Sequence, residues 1–285
     1  MWPVERPQLE VRVVFSLCIS DQISPAKLRV LEYYEDPVVS ATEQYEEACR
    51  AASLHLLDRA KFNPPKARAS DAKDLVNMYE QRMAPDKPGR EVRDTIRNAA
   101  VKCPLCGVGR VRQIDHHLPK AVYPYLAVAP SNLLPVCADC NYIKGERAPT
   151  SYGEQTLHPY FDDIDDGRWL RARLVVDLPD WYVEFFVSPP SSWSPLLTSR
   201  VEHHFEVFEL ARVYEVQSAD ELVGIAGQLE TAFDAGGAPD VRGHLLAMAR
   251  WRTRPRNNSW MTALYEAAAD NIWYCSGGFR EIADG

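Results

Sequence analysis

Two cysteine pairs, Cys103-Pro104-Leu105-Cys106 and Cys137-Ala138-Asp139-Cys140, stand 30 residues apart. Between them runs Ile114-Asp115-His116-His117-Leu118-Pro119-Lys120; Asn132 precedes the second pair and Asn141 follows it directly. Thiolates are soft ligands, and each Cys-x-x-Cys turn offers half of a tetrahedral zinc site. Four thiolates leave no open position for water, so a zinc ion held by Cys103, Cys106, Cys137 and Cys140 is expected to be structural. The Asp, His and Asn side chains are harder ligands and a base. A carboxylate, an amide oxygen and water suit Mg²⁺ or Mn²⁺ rather than a second zinc. That set could hydrolyse a phosphate ester, where a base deprotonates water and a cation holds charge on the leaving oxygen.

The elements that must position these groups follow from local patterns. Arg110 to His117 reads as a strand, Leu133 to Cys137 as a second, and Ala138 to Lys144 as a short helix closed by Gly145. Neighbouring strand residues point to opposite faces, so Asp115 and His116 can divide two tasks. Upstream, residues 1–88 read as helical. Ser40-Ala41-Thr42-Glu43 has the form of a capping box before a helix running to Phe62, and Asp71 to Met83 and Arg90 to Ala100 follow as further helices. Downstream, 153–285 reads as α+β. Trp169–Val176 and Trp181–Val187 form a hairpin about Asp177-Leu178-Pro179-Asp180, and a helix starts at the box Ser218-Ala219-Asp220-Glu221 and stops at Gly236-Gly237. The expected architecture is α+β and mainly helical, with a central zinc-stapled strand–loop–strand–helix module at 89–152.

The chain has 285 residues, 46% hydrophobic and 25% charged, and a net charge of −8. This composition is that of a soluble globular protein and argues against one that coats nucleic acid non-specifically. The balance is local, however. Arg90 to Thr150 carries nine basic against five acidic residues, a basic island suited to phosphate contact at one place. No run approaches a membrane span, and Val13–Ile19 lacks the basic start of a signal peptide, so it reads as a buried element and the protein as cytoplasmic. In a reducing compartment Cys18, Cys49 and Cys275 are expected as buried free thiols.

The residues between Cys103 and Lys144 resemble the HNH nucleases of the ββα-metal, or His-Me finger, class. The pattern stands here as Asp115-His116-His117-Leu118-Pro119, Asn132-Leu133-Leu134-Pro135, the second cysteine pair, Asn141 and Lys144. The resemblance covers roughly 45 residues and leaves the flanks unexplained. It implies a metal-dependent endonuclease, with DNA the favoured substrate. Asp115 and Asn141 would hold the divalent ion, His116 would act as general base, and Asn132 would order the loop that keeps the histidine in register. The family's spacing to Pro119 favours His116 over His117 as the base. Lys120 and Lys144 are candidate phosphate contacts. The Asp-His-x-Leu-Pro-Lys start also looks like stand-alone bacterial HNH proteins, some of which partner an ATPase in anti-phage defence. A non-catalytic zinc module and an RNase are the competing readings.

Other clusters read more plainly. Asp162, Asp163, Asp165 and Asp166 suit a turn before Trp169. His203 and His204 do not share a helix face. The arginines at 250, 252, 254 and 256, beside Trp251 and Trp260, suit either a polyanion or a solvated run.

Overall fold

Val14, Phe15, Cys18 and Ile19 recur at three- and four-residue spacing, and the segment holding them folds as helix α1 (Val11–Ile19) with all four buried. The structure, a computed structural model, describes residues 1–20, 24–177 and 180–284. It divides into two compact units, Met1–Asp162 and Asp163–Gly285. Helices dominate both, and each unit holds a two-stranded antiparallel sheet.

In the first unit α2 (Pro25–Glu32) starts where the Ser24 hydroxyl accepts from the Lys27 N–H, with Pro25 in the first turn. Helix α3 (Glu35–Arg50) corrects the expected boundaries. It begins five residues before Ser40, with Glu35 and Asp36 in its first turn, and it stops at Arg50 rather than Phe62. The Ser40 carbonyl and hydroxyl accept from Gln44 within the helix, so the box caps nothing. The early stop has a distant cause. Ala52 takes φ 49°, and the Gln155 side chain accepts from Leu54 N–H and donates to the Ala52 carbonyl, each at 2.7 Å. These bonds satisfy backbone groups that a longer helix would have paired internally. The expected helices at 71–83 and 90–100 appear as α4 (Asp71–Arg82) and α5 (Arg90–Asn98).

Strand β1 (Gln113–His116) pairs antiparallel with β2 (Leu133–Val136) in the register Gln113↔Val136, Ile114↔Pro135, Asp115↔Leu134 and His116↔Leu133. Helix α6 (Ala138–Lys144) follows, ended by Gly145 at φ 56°, a conformation a glycine adopts without strain. One hydrophobic cluster runs from Val14 through Tyr34, Tyr45, Leu75 and Ile96 to Ile114, Leu126 and Leu133. The stretches set out above as 1–88 and 89–152 therefore share a core.

In the second unit β3 (Leu170–Asp177) and β4 (Asp180–Val187) form the hairpin; the turn residues Leu178 and Pro179 lie outside the described residues. Helices α7 (Pro195–Val207), α8 (Leu210–Gly224), α9 (Ala226–Gly236), α10 (Ala238–Thr253), α11 (Trp260–Asp270) and α12 (Phe279–Asp284) follow. Ser218 does not start a helix. It lies inside α8, whose buried Leu210, Tyr214 and Leu222 carry the apolar face past it, and its hydroxyl donates to the Glu215 carbonyl. Gly237, at φ 70°, separates α9 from α10, and Pro239 sits in the first turn of α10.

Candidate functional site

The four cysteines are buried, and their sulfurs all lie within 4.8 Å of one another. Zinc–sulfur bonds of about 2.3 Å in a tetrahedron put sulfurs about 3.8 Å apart. The Cys106 and Cys137 Sγ atoms stand 3.9 Å apart, so the donor set fits zinc. The backbone prepares both turns: Gly109 N–H points at Cys106 Sγ from 3.4 Å and Cys140 N–H at Cys137 Sγ from 3.5 Å. A side chain at Gly109 would press within 2.7 Å of Cys137 Cβ, so only glycine lets the two turns close. Hydrogen bonds from Cys103 pull the Cys106 and Cys137 thiols down, while hydrogen bonds to their sulfur neighbours push Cys103 and Cys140 up. Four thiols so close compete for their protons, and a bound cation removes that competition.

From this staple the two faces of β1 serve different neighbours. Gln113 and Asp115 share one face by the two-residue period, and Asn141 and Lys144 share one face of α6 by helical spacing. They meet as two rungs: Asn141 Nδ2 donates to Gln113 Oε1, and Lys144 Nζ lies 2.9 Å from Asp115 Oδ2. The expected ligands Asp115 and Asn141 thus stand on facing elements, the carboxylate held by Lys144 and the amide by Gln113. Lys144 is itself buried and donates to the His116 carbonyl at 2.7 Å. Its ammonium also holds Asp115 Oδ2 in a buried ion pair. Burial raises the Asp115 carboxyl pKa, and Lys144 opposes the rise.

On the other face, His116 is 6% exposed. Its Nε2 meets the Ala127 carbonyl at 2.8 Å. A carbonyl only accepts, so Nε2 carries the proton and the neutral ring keeps its lone pair on Nδ1. Burial drives the His116 pKa down to about 3, which holds the ring neutral. The Tyr79 ring of α4 stands edge-on to the imidazole at 4.5 Å, and Tyr79 O–H reaches the Ile114 carbonyl. Lys120 Nζ lies 5.0 Å from the centre of the Tyr79 ring and pairs with Glu80 at 3.0 Å. Asn132 is fully buried and clamps the loop between the strands. Its Oδ1 accepts from Leu118 N–H, and its Nδ2 donates to the Leu118 and Leu126 carbonyls.

His117 points elsewhere, its ring 4.4 Å from that of His158, which in turn bonds Tyr45 O–H. Tyr123 packs on Phe62 and Tyr125 on Tyr34, as aromatic packing rather than as open faces. Asp165 accepts from Asn257 and Asn258, a turn lock in the second unit. Arg254 stacks on Trp251 at 3.8 Å. Cys18, Cys49 and Cys275 are buried and form no disulfide. Sequence reasoning missed Tyr79, Glu80 and Gln113. Gln113 was accessible through its two-residue spacing from Asp115, and Tyr79 through the helical phase of the buried Leu75 and Met78.

Among the described residues no helix is long and apolar enough to cross a membrane. The chain is 34% identical over 160 residues to Protein ea31 of Escherichia phage lambda, a stretch covering 54% of each. The chain thus spans about half the length of this curated relative. No family model and no solved structure matches it.

Proposed function

We propose that the chain is a metal-dependent endonuclease of the HNH type that hydrolyses phosphodiester bonds, with DNA the favoured substrate. The observation that carries this reading is the geometry at His116: Nε2 donates to the Ala127 carbonyl at 2.8 Å, which leaves Nδ1 as the accepting atom, on the strand that pairs with the one leading into the second cysteine turn. In the reading, Nδ1 takes a proton from the attacking water. Asn132 maintains the loop geometry that keeps the Ala127 carbonyl beneath the ring, since it bonds Leu126 next door. Asp115 on β1 and Asn141 on α6, whose Nδ2 is engaged by Gln113 so that its Oδ1 remains for a cation, are the residues that would hold Mg²⁺ or Mn²⁺, with Lys144 giving up the carboxylate. Such an ion supplies charge neutralisation at the leaving oxygen. Zinc at the cysteines is structural. Targeting is proposed to come from a partner, an ATPase of the anti-phage kind.

A second reading has its own support. His116 and Asp115 are both buried and Asp115 is matched to Lys144, as in a zinc-stapled scaffold that binds partners without catalysis. Plasmid nicking with and without added Mg²⁺ or Mn²⁺ separates the two. Loss of a general base lowers the rate by about 10²–10⁴, so His116→Ala, with its zinc intact, should fall by that factor. Equal rates for mutant and parent remove the base assignment. A parent inactive on duplex DNA, single-stranded DNA and tRNA leaves the scaffold reading standing, and activity on tRNA alone makes the enzyme an RNase.

A further inference from the structure

Immediately before β1 the first unit carries a cleft of about 670 Å³, lined by Arg97, Asn98, Ala100, Val101, Arg110 and Arg112 together with Val111. Three guanidinium groups thus face one space in a chain whose net charge is −8. Arg97 shares its charge with Asp94 at 3.0 Å. Arg110 and Arg112 are exposed, and among the described residues no carboxylate pairs with either. Two exposed arginines two positions apart, with a third lining the same cleft, concentrate positive potential at one place in an otherwise acidic chain and favour an external anion there.

The mounting is rigid. Val111 N–H donates to the Val101 carbonyl and Arg112 N–H to the Val136 carbonyl, both at 3.0 Å, and Lys102 bridges to Arg110. Gly109, next to Arg110, is tied to Cys106 Sγ. The metal turn therefore fixes the backbone from which both arginines project, and fixed forks lose little freedom on binding. Arg112 precedes Asp115 by three residues, roughly 10 Å of extended chain. An anion seated in the cleft is within a few backbone phosphates of the Asp115–His116 strand end.

We infer that this cleft is a phosphate-backbone subsite: Arg110 and Arg112, with Arg97 behind them, hold the phosphodiester chain of a nucleic acid upstream of β1. Guanidinium forks match phosphate oxygens, and Val101 and Val111 give the sugar edge an apolar wall. This rests on the nuclease reading for its choice of polyanion, but its test does not use cleavage.

The probe is a fluorescein-labelled 20-base-pair duplex, titrated by anisotropy against full-length His116→Ala protein at several salt concentrations without added divalent ion. Each phosphate contact removed should lower the salt slope by about 1. Arg110→Gln/Arg112→Gln should therefore lose about two from the slope and roughly tenfold or more in affinity at low salt. Arg110→Lys/Arg112→Lys should keep the slope, because it keeps the charge. Arg173→Gln/Arg212→Gln, in the other unit and paired there with Glu184 and Glu215, should change neither. Zinc content measured on every variant confirms the metal turn is intact. An unchanged slope in the Gln pair, or an equal drop in the unit-two control, overturns the subsite. So does a heparin oligosaccharide that binds through the same arginines when the duplex does not. If wild-type protein cleaves while the Gln pair binds undiminished, the subsite fails and the nuclease reading survives. If the arginines govern binding and no variant or parent cleaves, the subsite stands and the nuclease reading fails.

Discussion

In the second unit the buried side chains are mostly aliphatic and aromatic, Val201, Leu210, Leu222, Leu229, Val241, Leu245 and Leu264 among them. Around β1 and β2 of the first unit the chain buries Asp115, His116, His117, Ser131, Asn132 and Lys144 within about thirty residues of sequence. Burying polar groups costs several kcal/mol each unless they are paired. The first unit meets that cost with specific partners: a lysine for the carboxylate, a backbone carbonyl for the imidazole and three backbone groups for Asn132. Among the described residues the second unit also buries Arg200, His204, Ser218, Asn258 and Thr262, but spread over more than sixty positions rather than gathered around one strand pair. What sets the β1 region apart is the concentration of its buried polar groups, most of them held by a specific partner, around two short strands and the helix that follows.

The contrast breaks most visibly if the thiolates are removed. Structural zinc in small modules contributes about 10–16 kcal/mol at neutral pH, as much as the whole stability of a typical domain. The double variant Cys103→Ser/Cys137→Ser should lose its metal, and the β1–β2–α6 region should become susceptible to protease. A fragment beginning near residue 163 should survive the same digestion. Zinc content by atomic absorption and limited proteolysis read both halves of this expectation. A metal-free variant that resists digestion throughout would show that the cysteines are packing residues.

Next in size is the buried ion pair. Removing one partner of such a pair costs about 3–5 kcal/mol, because the other charge is left alone in a dry environment. Lys144→Met strands Asp115 and also removes the donor to the His116 carbonyl. Urea unfolding should show this loss, and Lys144→Met/Asp115→Asn should recover most of it. A single variant within 1 kcal/mol of the parent would mean that the Asp115 carboxyl is neutral to begin with.

What the sequence made legible was local. The two cysteine turns, the helix Ala138–Lys144 and its Gly145 end lie within one short span, and spacing alone defines them. Long-range contacts were not legible. Nothing near Ser40 announces that Gln155 ends α3 at Arg50, and nothing near Asp115 announces that Lys144, one turn beyond Asn141, takes the carboxylate. The cover over His116 comes from Tyr79, 37 positions upstream, on a helix whose existence was legible but whose docking was not.

The second unit supplies a smaller test. Asn258 Oδ1 accepts from Trp169 and Leu170 N–H, and its Nδ2 donates to the Gly167 carbonyl. Asn258→Ala leaves two buried donors unpaired, for a loss of about 2–3 kcal/mol. The effect should appear in unfolding of the second unit, with zinc content unchanged and nicking, where present, at the parent rate. A change in zinc content would show that the polar anchor serves the first unit as well.

The smallest effect concerns a single proton. His116 falls from an ordinary 6.5 to about 3 because burial penalises its charged form. A depressed folded pKa means that the unfolded chain binds a proton the folded chain refuses. This contribution is therefore constant above about pH 6.5 and destabilises by up to ~1.4 kcal/mol per pH unit from there down to about 3. Asp115, with its pKa raised by burial, works in the opposite sense as the pH falls, so melting curves mix the two. The ring itself separates them. In a histidine proton NMR titration the His116 C2–H should stay at its neutral shift throughout pH 8 to 5. Tyr79→Ala, which removes the edge packed on the imidazole, should bring its midpoint back toward the ordinary value. If His116 titrates near 6.5 in the parent, the ring is open to water, Tyr79 is no cover, and the Nε2–Ala127 bond does not hold the base in its neutral form.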